Sequence, residues 1–473
     1  VVGVFLVFAT GCANKSAYVC TSTDQCLRDD VQGVCEPQGF CSFADPSCPS
    51  GHKFEPNAGN GLGGTCTMVD AAVAACGAVG EACCASGSAC GGNGFCSNGT
   101  CQECVTAIAP GRHASCLLKY DHTVWCAGEN QVGQLGFGQV GSPMPTWMQV
   151  RDSTSATIGD ATALAAGNEL ACAVRTGGSV WCWGGMVSSP AAVEVQKTNG
   201  MPLTGIVEIG GGYGHVCGRD NLGGVWCWGT GSNGQLGDGT TTGRSQAAPV
   251  LDAPMGVATT GVLALSVGGG HSCIRKANNA IWCWGNNTSG QLGDGSLMDR
   301  PNPVMIGTGT SFGTGPRTSC IVHLDGTTWC SGEAWHNRIG NGVSTYDAPA
   351  PSTYPMPTEV LVAPGGAPFT GVSSVALGGV SCALKQDKTL ACWGDDPYGE
   401  TGTGAGTSVP APVLTLDQQP LTDVDWAVAK FAHVCAHRTD GELLCWGRNL
   451  EGALGDGSFA NRGLATPLRF TCP

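Results

Sequence analysis

Seven times along the chain, two cysteines stand ten residues apart. The pairs are Cys116 and Cys126, Cys172 and Cys182, Cys217 and Cys227, Cys273 and Cys283, Cys320 and Cys330, Cys382 and Cys392, and Cys435 and Cys445. Successive pairs begin 56, 45, 56, 47, 62 and 53 positions apart. The interval within a pair is fixed and the interval between pairs wanders. Each pair therefore belongs to a rigid repeated unit, and variable loops join the units. A separation of ten suits a β-hairpin closed by a loop of about three residues. Thr439-Asp440-Gly441 and Leu324-Asp325-Gly326 lie near that midpoint and carry turn chemistry. Directly opposed strand residues have Cβ atoms about 5 Å apart, within reach of a disulfide after a small adjustment.

The second cysteine of most pairs sits among tryptophans, as in Val225-Trp226-Cys227-Trp228. Successive strand residues point to opposite faces, so both indoles face one way and the sulfur faces the other. Neither face gains from water. A sheet buried on both faces and repeated seven times predicts sheets stacked around an axis, a seven-bladed β-propeller in the all-β class. Ten of the 13 tryptophans lie in these strands, which assigns them to packing.

A glycine-rich loop follows several of these strands. It reads GQLGDG at Gly234 to Gly239 and Gly290 to Gly295, with close variants at Gly133 to Gly138 and Gly452 to Gly457. It lacks the lysine–serine/threonine ending of a phosphate-binding loop. Asp238, Asp294 and Asp456 supply one carboxylate per loop, without the alternating oxygen ligands of a calcium site, and read as turn and cap residues.

The stretches Gly268 to Gly295 and Gly211 to Gly239 resemble the regulator of chromosome condensation repeat family, over about Val105 to Arg469. The resemblance implies a seven-bladed propeller, in agreement with the seven cysteine pairs. The second, fifth and sixth units depart from it: WCWGGMVSSP lacks the GQLG loop, SGEAWHNRIGNG is altered, and DDPYGETGTG keeps only its glycines. Variable loops on a rigid ring are where binding usually resides. The eukaryotic founder of the family is a guanine-nucleotide exchange factor that docks on chromatin. A bacterial secreted member caps β-lactamases with one propeller face.

The net charge is −14 and no lysine or arginine run occurs, so nucleic acid is not an expected partner. The 29 cysteines, at spacings that fit bridges, point to an oxidising compartment. The first residues, VVGVFLVFATGC, read as a truncated signal peptide, and Ala9-Thr10-Gly11-Cys12 resembles a bacterial lipobox, which implies lipidation of Cys12. The expected place is then outside the cytoplasm: an outer membrane lipoprotein or cell-surface protein held only through its lipid anchor, or alternatively a secreted one.

The expected domains are a signal segment (1–12), a cysteine-rich module (13–70), a module resembling knottins (71–104) and the propeller (105–473). The modules carry too little apolar surface to fold without disulfides. Apart from Cys12, the two module sets of six and the fourteen propeller cysteines, two of the 29 remain. These are Cys104 and Cys472, which flank the propeller and are expected to clasp its ends. The segment Thr466 to Phe470 is expected to add a strand to the blade begun near Val105.

No HExxH motif occurs. His113, His215, His271 and His433 recur two or three residues before a blade's first cysteine, which argues for a repeated structural hydrogen bond. The chain is read as a non-enzyme with no catalytic residue, metal site or cofactor. The expected role is a binding or scaffold protein for another protein or an envelope glycan. An enzyme inhibitor of the β-lactamase-capping type and a nucleotide exchange factor are the alternatives, the latter disfavoured by acidity and export. Trp147, Trp335 and Trp426 lie outside the doublets and are the candidate binding-face residues. An enzyme would instead gather charged or histidine residues at the axial mouth.

Overall fold

The computed structural model describes residues 104–344 and 351–468 in full, and short paired strands before them. The chain divides into two compact units, Val1–Cys76 and Gly77–Pro473. Among the paired strands of the front segments, Cys35 stands opposite Cys41 and Cys96 opposite Cys101. Cys12 and the expected lipidation lie outside the described residues.

The described part is a seven-bladed propeller. Its four-stranded antiparallel sheets span residues 105–149, 161–194, 206–249, 262–308, 311–359, 372–412 and 424–467. The only helical turn among the described residues is the 3₁₀ segment Trp335–Asn337. In every blade the strands pair in chain order, innermost to outermost. The innermost strands touch one another around the ring, and Val424–Lys430 of blade seven closes it against Val105–Pro110 of blade one.

The seven cysteine pairs face each other in register on the second and third strands of their blades, and all seven are bridged, with Cα–Cα distances of 4.0–4.2 Å. All fourteen sulfur-bearing side chains are buried. Each disulfide covers the face of one blade that meets the next. Cys172–Cys182 packs with Trp226 and Trp228 of blade three, and Cys217–Cys227 with Trp282 and Trp284 of blade four. The cysteine between two tryptophans is thus a two-sided device: indoles toward one neighbour, sulfur toward the other. The first indole of the doublet lies nearer solvent and is covered by a cation, as Lys197 covers Trp226 at 4.8 Å and Arg175 covers Trp181 at 5.0 Å.

One expectation is corrected. Thr466 and Pro467 belong to the outermost strand of blade seven, Arg462–Pro467, where Thr466 pairs with Cys445. Blade one takes all four of its strands from residues 105–149. The register explains why. In every blade one outer-strand residue stands opposite the third-strand cysteine, such as Ala248 opposite Cys227 and Val304 opposite Cys283, and Thr466 holds that place in the last blade. Among the described residues, closure is by packing rather than by an exchanged strand.

Candidate functional site

Strand alternation puts two sets of loops on one face of the ring: those joining first to second strands, and those joining third to outer strands. The GQLG loops belong to the second set. The loop of blade three reaches over blade four. Leu236 is fully buried, and the Gln235 carbonyl accepts a 3.0 Å hydrogen bond from Trp284 Nε1. Gly237, at φ 68°, lies so close to the Trp284 ring that a Cβ would sit 2.7 Å from its Nε1. Only glycine combines that backbone with that approach. Trp183 donates in the same way to the carbonyl of Gln134 in blade one.

The altered loops of blades five and six make the same contact with different residues. Trp393 donates to the Arg338 carbonyl and Trp446 to the Glu400 carbonyl, each at 2.9 Å. At the closing interface Gly455 meets the ring of Trp147, which comes from the outer strand of blade one and fills the place left by Ala127 in its third strand. Asp294 and Asp456 are turn residues, bonded to Ser296 and Ser458 and paired with Arg300 and Arg462. Burial would raise the Asp294 carboxyl, but bonds from Ser296, Arg300 and Asn287 hold it below the usual range. Asp238 pairs with Arg244 in the same way.

The loop of blade four meets Ser331 of blade five in place of an indole, and blade two alone sends no such loop over its neighbour. Its third strand, Val180–Gly184, reaches its outer strand, Ser189–Glu194, by a short turn in which Ser188 takes φ 50°. Where the other blades send a loop over their neighbour, blade two leaves a cleft of about 820 Å³ against blade three. Its lining includes Met186, Val187, Val193, Tyr213 and Trp228, with Glu169 and Glu194 exposed at the border. Trp228 is 1% exposed, and its Nε1–H meets no acceptor among the described residues.

Tyr213 also borders a second depression, of about 420 Å³, beside the axis. Charged residues converge there and are bound to one another. Glu333 accepts from Arg317 at 3.0 Å and from Arg338 at 2.9 Å, and His336 pairs with Asp395. Glu400 takes the loop position of Gln235 and likewise accepts a main-chain N–H two residues back, from Tyr398 at 2.9 Å. Burial, with Asp396 and Asp395 nearby, pushes its carboxyl up to about 7. The axis itself is bridged on this face. Lys430 Nζ of blade seven donates to the Val267 carbonyl of blade four at 2.5 Å, and Tyr213 packs on Phe431 at 5.3 Å. Burial pushes the Lys430 ammonium down to about 8.

The recurring histidines hold neighbouring blades together. His215, His271 and His433 each place Nε2 2.8–2.9 Å from a serine hydroxyl of the next blade, namely Ser272, Ser319 and Ser115. His113 instead meets Arg448 and Glu451 of blade seven. Of the three tryptophans outside the doublets, Trp335 is 56% exposed on the loop face. Trp147 is packed at the ring closure, and Trp426 stacks on His437 at 4.9 Å. Cys104 is disulfide-bonded and buried, while Cys472 lies outside the described residues. Reading from sequence missed Tyr213, Trp228 and Lys430. The absent loop of blade two was the one available signal for the cleft.

Family models of the regulator of chromosome condensation (RCC1) repeat match residues 223–274 and 262–291. Among solved structures, the chain is similar to Prp20p from Saccharomyces cerevisiae, at 21% identity and a TM-score of 0.53, over 69% of this chain and 80% of that one. That protein was described with its binding to Gsp1p and histones. The chain is also similar to human WBSCR16, at 18% identity and a TM-score of 0.51, over 77% of this chain and 82% of that one. At these identities the likeness concerns the fold.

Proposed function

The chain carries regulator of chromosome condensation repeats and folds as their seven-bladed propeller, and from that premise we propose that it is a non-catalytic binding protein whose loop face holds a partner protein. The observation that carries this reading is the set of exposed aromatic side chains on that face: Tyr213, Trp335, Tyr398 and Phe459, from blades three, five, six and seven. Aromatic anchors dominate protein-binding hot spots. Tyr213 lines both depressions, Trp335 and Tyr398 adjoin His336 and Pro397 at the rim of the second, and all four stand on loops fixed by a stapled ring. The binding of Prp20p to proteins is in keeping with such use of the fold.

The seven bridged pairs support an oxidising compartment, and with it export to a cell surface or envelope. In that setting, capping of an enzyme is the more specific form of the same role.

The test is cross-linking capture from the native envelope, comparing Tyr213→Ala and Trp335→Ala with changes on the opposite face, Leu222→Ser and Leu324→Ser. A partner that the wild type and the opposite-face variants retain, and that each aromatic variant weakens by about tenfold or more, supports the reading. Capture indifferent to the aromatic changes overturns it. Retention of a glycan alone replaces the protein partner with a saccharide.

A further inference from the structure

We infer that the cleft between blades two and three is a socket for a tight, glycine-containing loop of a partner protein, one that inserts an aliphatic side chain and offers a backbone carbonyl to Trp228. The inference rests on the loop face being the binding face and names the chemistry of what is bound there.

The chain itself shows what fits such a place. Where an indole of this kind is buried at blades two, four, six and seven, the preceding blade supplies the same four things. One is a carbonyl for the indole N–H, from Gln134, Gln235, Arg338 or Glu400. The second is a buried side chain just after it: Leu135, Leu236, Ile339 or Thr401. The third is a glycine against the ring: Gly136, Gly237, Gly340 or Gly402. The fourth is a turn that puts all three on one short loop. Trp228 has the same position, the same burial and the same packing on the preceding disulfide, yet its donor is unmatched. A buried donor without an acceptor is costly, so a group that satisfies it gains affinity.

The border adds a preference. Arg244 is paired with Asp238, whereas Glu169 and Glu194 are exposed at the cleft with no ion pair among the described residues. The socket therefore favours a loop flanked by lysine or arginine.

The probe is a cyclised peptide of the chain's own loop, Ser232 to Gly239, together with its Asp238→Lys form. Each is titrated into the full chain while the Trp228 indole N–H is followed by NMR. We expect a saturable downfield shift of that resonance by millimolar peptide. The lysine form should bind more tightly at low salt and lose that advantage at high salt. Replacing the peptide leucine by alanine should weaken binding about tenfold.

Two protein variants locate the effect. Replacing residues 185–188 with the sequence Thr230 to Gly243 fills the socket from within and should abolish the response. Trp228→Phe should weaken binding about fivefold, read by calorimetry, and covers the case in which the graft does not fold. An unmoved indole resonance, or a response equal in the leucine and alanine peptides, overturns the socket. If the partner captured above is lost on Tyr213→Ala but kept by the folded graft, the socket fails and the binding face stands. If capture ignores both, the binding face fails as well.

Discussion

Trp284 of blade four donates its indole N–H to the main-chain carbonyl of Gln235, one blade back, at 3.0 Å. Trp228 occupies the same place in blade three without that bond. The pair makes an internal comparison. Trp284→Phe and Trp228→Phe remove similar ring volume, but only the first leaves a buried carbonyl unpaired. Urea unfolding should show Trp284→Phe to be the more destabilising by about 1 kcal/mol. Equal losses would mean that the loop carbonyl contributes nothing to the ring.

The ten-spaced bridges each close a short loop inside one blade. Removing one, by Cys273→Ala with Cys283→Ala, should cost about 2–3 kcal/mol in equilibrium unfolding. Non-reducing peptide mass mapping of the native protein should recover all seven pairs, and it tests the expected link between Cys104 and Cys472 as well. Free thiols across the blades would reopen an intracellular setting.

His271 is buried against Ser319, and burial, with Lys430 adding repulsion, pushes its imidazolium down from 6.5 to about 3. The unfolded chain takes up this proton near pH 6.5 and the native one does not until about 3. Stability from the neutral ring is therefore complete above pH 6.5 and falls as the pH drops toward 3. His271→Gln should flatten the stability profile across that window, measured by thermal unfolding. A profile as steep as the wild type's would assign the acid sensitivity elsewhere.

Glu400 has the opposite sign. Its carboxyl is held protonated up to about pH 7 in the fold, against 4.5 for the ordinary group. Stability thus declines as pH rises from 4.5 to about 7 and stays at the lower level beyond. Glu400→Gln restores the glutamine of the unaltered loops and should gain on the order of 1–2 kcal/mol at pH 8, with little change at pH 4. A variant no more stable at pH 8 than the wild type would show that the carboxylate is accommodated without cost.

Much of this is legible in the sequence alone. The fixed interval from Cys217 to Cys227, and its six repeats, demanded a hairpin. The Trp226-Cys227-Trp228 alternation demanded two buried faces, and the ring followed. Three things were not legible. The last strand was misassigned because Thr466 reads as a generic strand residue, and its kinship with Ala248 and Val304 lies in a register no single strand displays. The cleft was hidden because an absent loop in blade two is felt only by blade three. The sequence marks WCWGGMVSSP as short, but not that Trp228, some forty residues on, is left waiting. Lys430 was hidden for the same reason, since its acceptor, Val267, lies across the ring.

Because blade seven lends blade one no strand among the described residues, each blade is one unbroken stretch of chain. The backbone has no privileged seam. A gene permuted to begin at any blade boundary, with the old ends of the propeller joined, would encode the same circle. Copying or deleting one blade's worth of coding sequence would likewise add or remove a whole sheet without stranding half of one. In the gene, such a ring keeps its units as separable stretches. The one loop missing from blade two is a change that this architecture lets a single unit make while its neighbours keep their shape.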